Sequence, residues 1–418
     1  MVDHLTGKRI LDVESFIILA KFLDMCWTKA LQYVFVKFMK DEQMRKIEVV
    51  NSDRENGVHV ILRYVTERGT VIYALGVPVS YESGGDWDLG PTWCYVVQKD
   101  PVTLIDAGQW GKFDVLKMLL QKADIEMRDI KRVIITHGHE DHDGNVPEVV
   151  EESGASIWAH FAYENMISYH PDIKDGARHP DFPGSCRTCM MPDAFNRACM
   201  PYHRKRSRLK LDFKIDNEHH SAKDYRFICT PGHSPDSLCI VFEDEVVFGG
   251  DTVLATITPH PSLALEYYVQ RRILPGEYGE QNNPYGLMAY IDSLRSIIRQ
   301  CSDATILFPG HRLFEGGRVN RLKPVERALE IIRFHKDRCS KILDILGNRV
   351  LTLEEMAVEL FPPRLRRGYG RFLSQREVMS HLELLAVLGD IEWVNGPGFK
   401  SKRTGTCKYK KYFKQEES

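Results

Sequence analysis

The chain has 418 residues, of which 43% are hydrophobic and 27% are charged, and its formal net charge is −2 at pH 7. A chain of this length and composition can bury a large core, and we expect two or three folded units. The small net charge excludes a strong overall attraction to nucleic acid or to an anionic membrane, although it is compatible with local charged patches.

The first predicted element is an amphipathic helix between Phe16 and Met39. The apolar residues Phe16, Leu19, Leu23 and Trp27 recur at helical spacing. Charged residues interrupt the segment and make it too polar to span a bilayer; they are Lys21, Asp24, Lys29 and Lys37. We therefore predict an N-terminal extension of helix and strand over residues 1–55. Its helix packs on the rest of the chain or, alternatively, forms an interface with a partner subunit.

The cysteines and the first residues of the chain give an indication of the cellular compartment. Ten cysteines are scattered without the spacing of a secreted disulfide framework. The first residues also lack the charged, apolar and small-residue order of a signal peptide. We therefore predict a reduced, cytoplasmic protein with no membrane span.

Runs of apolar and β-branched residues between turn residues predict four successive strands, followed by a helix over about residues 112–122. The strands cover 58–65, 71–75, 92–97 and 102–105. The same order, strands and then a helix, recurs between about residues 225 and 300, where the helix covers 286–299. The predicted fold class is therefore α+β.

The loop from Thr136 to Asn145 reads Thr-His-Gly-His-Glu-Asp-His-Asp-Gly-Asn and follows the apolar run 133–135. Three imidazoles and several carboxylates in so short a loop are hard to explain by packing. Neutral imidazole and carboxylate suit Zn²⁺, Fe or Mn²⁺, and a loop at the end of a buried strand can direct several of them at one point. The sequence therefore predicts a metalloenzyme.

Three later segments repeat this arrangement of a short strand, a turn and a ligand residue. The ligand residues at their ends are His233, Asp251 and His311. Four strand ends thus each present groups that can bind a metal, and together they provide enough ligands for a pair of ions.

At these residues the chain resembles the metallo-β-lactamase-fold hydrolases, in which an HxHxDH motif is followed by a histidine, a bridging aspartate and a last histidine. The resemblance implies an αββα sandwich over residues 56–320, in which two mixed sheets pack face to face between outer helices. It also implies a first metal site, a bridging ligand and a second metal site, which in that order are His137, His139 and His233; Asp251; and Asp141, His142 and His311.

The same resemblance implies a hydrolase with two divalent ions, for which zinc is expected and iron or manganese are alternatives. Two ions about 3.5–4 Å apart can share and activate a water, so the nucleophile is expected to be a bridging hydroxide. Asp141 is the expected catalytic residue, which orients this hydroxide or takes its proton. The flavin-linked diiron proteins of the superfamily carry Glu where this chain has His139, so an oxygen-reducing role is disfavoured.

Two further aspartates lie near the predicted ligands. Asp106 stands where the fold usually keeps a buried aspartate, and we expect it to support the ligands rather than to bind metal. Asp143 directly follows His142. We expect Asp143 either to accept a hydrogen bond from a ligand imidazole or to lie in a solvated loop.

An insertion over residues 163–210 separates the two predicted halves. Its CxxC pair and two later residues have a spacing that could hold a structural zinc ion; these four residues are Cys186, Cys189, Cys199 and His203. The alternative is that the cysteines are free thiols in the insertion. In both cases its position predicts a lid over the substrate.

Residues 321–418 are predicted to form a long helix followed by a winged-helix-like domain. The predicted helices cover 325–346, 351–361 and 374–388, and strands over 391–394 and 408–413 form a hairpin. Thr352 and Glu355 predict a capping box, whereas Ser374 and Gly389 predict the start and the end of the last helix. The module resembles that of the β-lactamase-like protein 2 group, which includes acyl-carrier thioesterases and an endoribonuclease.

The carboxy-terminal module is also rich in basic residues, which form either a solvated face or a site for phosphates of coenzyme A or RNA. The resemblance favours a hydrolase that cleaves an acyl-CoA or acyl-carrier thioester. The alternatives are a metal-dependent endoribonuclease and a metal-sensing regulator that binds nucleic acid.

Overall fold

The computed structural model describes residues 47–52, 56–79, 87–168, 200–394, 398–402 and 407–414. The described residues from 49 onward belong to one compact unit. The predicted N-terminal helix lies outside the described residues. The divisions at residues 55 and 320 stay predictions, and so does the lid role of the insertion.

The first sheet has eight strands in sequence order. They are β1 (Ile47–Asn51), β2 (Ile61–Val65), β3 (Val71–Val77), β4 (Thr92–Gln98), β5 (Thr103–Ile105), β6 (Arg132–Ile134), β7 (Ser156–His160) and β8 (Phe213–Ile215). Strands β2 to β5 pair antiparallel, whereas β5 to β8 pair parallel. Parallel neighbours need crossover connections, and helices α1 (Phe113–Lys122) and α2 (Val146–Ser153) lie in two of them.

The second sheet has five strands in the order β13-β12-β11-β10-β9. They are β9 (Ser221–Ala222), β10 (Tyr225–Cys229), β11 (Leu238–Phe242), β12 (Val246–Gly250) and β13 (Ile306–Pro309). Strand β11 is antiparallel to both β10 and β12, and β12 is parallel to β13. Strands β10, β12 and β13 therefore run in one direction and end at the same edge.

The two sheets pack face to face through aromatic rings. The ring of Tyr95 on β4 stacks on Phe308 of β13 with a centroid separation of 5.3 Å, and it lies 5.0 Å from Phe248 of β12. Its neighbours Cys94 and Val96 point the other way, into a core beneath α1, as alternation along a strand requires. The predicted α+β sandwich of two mixed sheets is confirmed.

The other described helices lie outside the sheets or follow them. They are α3 (Tyr163–Ile167), α4 (Met200–Arg206), α5 (Glu266–Gln270), α6 (Gly286–Gln300), α7 (Pro324–Leu346), α8 (Leu353–Leu360), α9 (Tyr369–Leu388) and α10 (Lys408–Phe413). Single 3₁₀ turns cover Met127–Asp129, Glu280–Asn282 and Pro363–Arg366. Across the described residues, no helix has the length and apolarity that crossing a membrane requires.

Two small sheets complete the described part of the chain. Strands β14 (Phe314–Glu315) and β15 (Arg318–Val319) form a hairpin. Strands β16 (Val350–Thr352), β17 (Ile391–Val394) and β18 (Gly398–Ser401) form an antiparallel sheet in the order β16-β18-β17. The capping box at α8 is confirmed, because Thr352 Oγ1 accepts from Glu355 N at 3.2 Å and Glu355 Oε2 accepts from Thr352 N at 2.8 Å.

The predicted hairpin between 391–394 and 408–413 is wrong, because β17 pairs with β18 and residues 408–413 form α10. Tyr409 and Phe413, four residues apart, bury one face of this helix. The carboxylate of Asp390 accepts the N–H groups of Lys408 and Tyr409, each at 2.7 Å. This satisfies donors that a helix start leaves open.

The predicted start of α9 at Ser374 is also wrong, since the helix begins at Tyr369. Ser374 is buried inside the helix, and its hydroxyl donates to the carbonyl of Arg371 at 2.9 Å. A serine inside a helix can bond an earlier carbonyl in this way, so its presence does not mark a helix start. The winged-helix assignment of the module stays a prediction.

Helices α6 to α9 share one hydrophobic core with the outer face of the second sheet. We expect Leu382→Ala, a substitution in that core, to lower the free energy of unfolding by about 2–5 kcal/mol, because the side chain is fully buried. The matched control is Val387→Ala on the same helix, where the side chain is 72% exposed and the expected change is within about 0.5 kcal/mol. Equal losses in denaturant unfolding would contradict this packing of α9.

Candidate metal centre

The first three predicted ligands converge at one point. His137 and His139 follow β6, and His233 follows β10. One ring nitrogen from each lies within 4.8 Å of the other two. His139 Nδ1 lies 3.0 Å from His137 Nε2 and 3.2 Å from His233 Nε2. These separations bring three imidazoles together as a tetrahedral metal site requires.

A second group lies beside the first and consists of Asp141, His142 and His311, whose ligand atoms are also within 4.8 Å of one another. His311, which follows β13, places Nε2 3.1 Å from Asp141 Oδ2. His142 Nε2 lies 3.7 Å from the same oxygen. All three side chains are buried.

Asp251, at the end of β12, faces both groups. Its Oδ1 lies 3.3 Å from His142 Nε2, and its Oδ2 lies 3.7 Å from His233 Nε2 and 3.5 Å from His311 Nε2. The structure thus brings together all seven residues that the sequence predicts as ligands. Asp251 has the position that a bridging carboxylate needs.

The arrangement fits divalent ions. Among the described residues, His142 Nε2, His311 Nε2 and Asp251 Oδ1 are buried polar atoms with no hydrogen-bond partner. Such atoms are costly unless something satisfies them. Any side chain at position 310 would collide with Asp251 Oδ1 and His142, so Gly310 keeps this space open. A metal ion would satisfy the three atoms together.

The two groups of ligands differ in the direction in which their surroundings shift the pKa of the imidazoles. Burial lowers the pKa of His137 and His233, and it lowers the pKa of His139 to about 3. These imidazoles are therefore neutral, which is the form that binds metal. Burial opposes the charged form of His142 and His311 as well, but Asp251 and Asp141 outweigh it and raise the pKa of both.

Asp106 supports the centre as predicted. Its Oδ2 accepts from His142 Nδ1 at 2.7 Å, and its two oxygens accept the backbone N–H and the hydroxyl of Thr136 at 2.8 and 2.7 Å. The bond at Nδ1 leaves His142 Nε2 facing the other ligands. Such a partner sets both the tautomer and the orientation of a ligand imidazole.

Two backbone carbonyls have the same role, and the sequence contains no signal for either. His233 Nδ1 lies 2.9 Å from the carbonyl of His260, and His311 Nδ1 lies 3.1 Å from that of Pro91. Each bond directs the other ring nitrogen toward the centre. A backbone acceptor is available from every residue type, so only the folded chain reveals which carbonyl is used.

Both expectations for Asp143 are wrong, because it is fully buried and, among the described residues, its carboxylate makes no hydrogen bond to a ligand imidazole. Its carboxylate accepts from Tyr163 on α3 at 2.7 Å, from Tyr202 on α4, and from Arg206 Nη1 on α4 at 3.1 Å. Arg206 Nη1 also donates to the carbonyl of Gly138 at 2.6 Å, between the first two ligands. The end of the insertion thus holds the ligand loop in place.

The predicted structural zinc site remains untested. Its residues Cys186, Cys189 and Cys199 lie outside the described residues, and His203 lies on α4.

Some of the basic residues in the carboxy-terminal module form ion pairs. Arg371 pairs with Glu354, and the largely buried Arg376 pairs with Glu266.

Comparison with known proteins agrees with this geometry. Residues 87–311, more than half of the chain, match the Metallo-beta-lactamase superfamily. The protein of Bacillus subtilis (strain 168) named Probable metallo-hydrolase YqjP is 24% identical over 331 residues, which are 75% of this chain and 92% of that protein. The Atrochrysone carboxyl ACP thioesterase of Aspergillus fumigatus is 26% identical over 212 residues, 50% of this chain and 46% of that enzyme.

Two solved structures share the fold. The metallo-beta-lactamase family protein TTHA1429 from Thermus thermophilus has a TM-score of 0.59 at 20% identity, over 79% of this chain and 98% of that chain. A Beta-lactamase domain protein from Burkholderia ambifaria has a TM-score of 0.59 at 15% identity, over 86% of this chain and 99% of that chain. At these identities, the likeness shows the fold alone.

We expect Asp106→Asn to weaken metal binding by about 10–100-fold, because an amide nitrogen cannot accept the proton that His142 Nδ1 donates. Titration against a chelator of known affinity measures the change. The matched control is Asp114→Asn, an exposed position on α1, which should bind metal like the wild type. Wild-type affinity in Asp106→Asn would show that Asp106 does not orient His142.

We expect Arg206→Met to lower the free energy of unfolding by about 3–5 kcal/mol, because it leaves the buried carboxylate of Asp143 without its cation. Denaturant titration measures this loss. The control is Lys205→Met on the same helix, where a 44% exposed side chain pairs with Glu148 at the surface, and a loss of at most about 1 kcal/mol is expected. Equal losses in the two variants would contradict a buried ion pair.

Proposed function

Because the chain belongs to the metallo-beta-lactamase superfamily, we propose that it is a dinuclear metal-dependent hydrolase, which cleaves the thioester of an acyl-CoA or of an acyl carrier. The observation that supports a metal-dependent hydrolase activity is the convergence of seven imidazoles and carboxylates from four strand ends. The thioester specificity rests on a separate argument.

In this proposal, His137, His139 and His233 would hold one ion and Asp141, His142 and His311 would hold the second, with Asp251 placed next to both groups of ligands. Zinc is the ion that we propose, because imidazole and carboxylate donors in compact sites suit it. When bound, the two ions supply an activated water and polarise the carbonyl that it attacks.

The protein's own residues then position the reaction. Asp141 Oδ2 faces His311 Nε2 at 3.1 Å and accepts from the Thr92 hydroxyl at 3.4 Å. A carboxylate held from two sides can orient the attacking water and accept its proton. Asp106 fixes His142, and Arg206 fixes the loop that carries His137 and His139, so the attacking group has one defined place.

The thioester specificity is supported by one relative. The Aspergillus fumigatus protein that aligns with half of this chain is named a thioesterase that acts on a carboxyl ACP. A thioester is also suited to such a centre, because a thiolate leaves more easily than an alkoxide and needs less stabilisation.

We expect the zinc-loaded protein to release free thiol from at least one member of a panel of short-, medium- and long-chain acyl-CoAs, measured with a thiol-reactive dye. Asp251→Ala should reduce this release by more than about 100-fold, since losing a ligand costs more than losing a residue that only orients one. The control Asp114→Asn should keep the wild-type rate.

Two outcomes would count against different parts of the proposal. If no acyl-CoA or acyl-carrier thioester is cleaved but a chromogenic ester or lactam is, the hydrolase stands and the thioester specificity is rejected. If thiol release persists unchanged in Asp251→Ala, the seven-residue centre is not the catalytic site.

A further inference from the structure

A second cluster of potential metal ligands lies outside the candidate metal centre, between helices α7 and α9. It consists of His335 on α7 and of Glu377 and His381 on α9. One ligand atom from each residue lies within 4.8 Å of the other two. Glu377 and His381 are four residues apart, so they share one face of α9.

The cluster is buried. His335 and His381 have no exposed surface, and Glu377 is 5% exposed. Within the part of the chain that the structure describes, His335 Nε2 has no hydrogen-bond partner, and Glu377 Oε1 has only an ion pair with Arg338. Buried polar atoms without partners are rare in folded proteins, and each one calls for a physical explanation.

The two imidazoles of the cluster face each other. His381 Nδ1 lies 2.6 Å from the carbonyl of Glu377, so this nitrogen carries the proton and Nε2 keeps a lone pair. His335 Nδ1 lies 2.9 Å from His381 Nε2. When the proton of His335 is on Nε2, the lone pairs of these two facing nitrogens point into one gap, where a bound cation would take both.

His260 adds a fourth group to the same region. Its Nδ1 lies 3.8 Å from Glu377 Oε2, and among the described residues neither of its ring nitrogens has a hydrogen-bond partner. Burial lowers the pKa of His260 and His381 to about 3 and that of His335 well below its usual value. Burial also raises the pKa of Glu377 to about 7, and a cation at this position would favour its ionised form. Three neutral imidazoles and one carboxylate are a donor set that zinc accepts.

The nearby cation Arg338 already pairs with the carboxylate of Glu377. Arg338 Nε lies 3.4 Å from Glu377 Oε1, and the guanidinium lies over the rings of Phe334 and Phe361, each at 4.9 Å. The second oxygen, Oε2, is the one nearer His260. Arg338 therefore pairs with Oε1, and Oε2, which lies 3.8 Å from His260 Nδ1, is the oxygen available to an ion.

We propose that His335, Glu377 and His381 bind a further divalent cation, with His260 placed to complete the ligand set. The ion joins α7 to α9 and fixes both helices to the segment of His260. The carbonyl of His260 accepts from His233 Nδ1 at 2.9 Å. The site therefore also stabilises the position of one ligand of the candidate metal centre, although the site itself does not depend on the reaction that the centre performs.

The test counts ions in the full-length protein, so it needs no substrate. We expect zinc-saturated, gel-filtered wild type to hold one zinc ion more per chain than Glu377→Gln or His335→Gln, measured by elemental analysis. The control is Glu383→Gln, because Glu383 is also buried on α9 but bonds the N–H groups of Ala264 and Leu265. This control should keep the wild-type ion count.

A second variant separates the two sites. His137→Ala combined with Asp251→Ala removes ligands of the candidate metal centre, and we expect it to retain one tightly held ion. With cobalt in place of zinc, this retained ion should give the visible absorption bands of a site with nitrogen and oxygen ligands. These bands should disappear when Glu377→Gln is added.

Two results would overturn the proposal. The first is an equal ion count in wild type and in folded Glu377→Gln, with folding checked by circular dichroism. The second is a double variant at His137 and Asp251 that binds no ion. Either result would mean that ordered water, rather than a cation, satisfies the acceptors between α7 and α9.

Discussion

The need to satisfy buried lone pairs at one edge of the sandwich is the constraint on which the rest of the structure depends. Seven imidazoles and carboxylates meet there, and three of their atoms are buried with no hydrogen-bond partner within the described chain. Leaving such atoms unsatisfied costs free energy, and a bound metal ion would remove that cost. Metal binding therefore depends on the local fold, because the residues that contact the ligand side chains also determine the direction of their lone pairs.

The supports come from four separate parts of the chain. Asp106 follows β5 and orients His142, the carbonyl of Pro91 precedes β4 and orients His311, and Arg206 on α4 holds the ligand loop. The fourth support is the carbonyl of His260, whose ring lies against α9 at Glu377. Through His260, the carboxy-terminal helices are linked to the candidate metal centre, which is why a cluster between α7 and α9 bears on a ligand far away in sequence.

The predictions from sequence were wrong at positions whose local structure depends on a residue far away in the chain or on helix packing. Asp143 directly follows the ligand motif, yet its carboxylate pairs with Arg206, 63 residues later. Nothing in the sequence near Asp143 points to this partner. Residues 408–413 have apolar side chains at positions compatible with either a strand or a helix, and the carboxylate of Asp390 at the helix start favoured the helix. Ser374 is a common helix-start residue, but the packing of α9 extended the helix past it.

The sequence by itself determined the fold class, the four strand ends and the identity of all seven candidate ligands. It could do so because ligand chemistry depends on residue type, and because strand ends are marked locally by Gly, Pro and apolar runs. Only the tertiary structure decided which atoms orient those ligands and that His335, Glu377, His381 and His260 meet. Backbone carbonyls leave no mark in a sequence, and residues on different helices become neighbours only when the chain has packed, since the pairing of helix faces depends on the whole core.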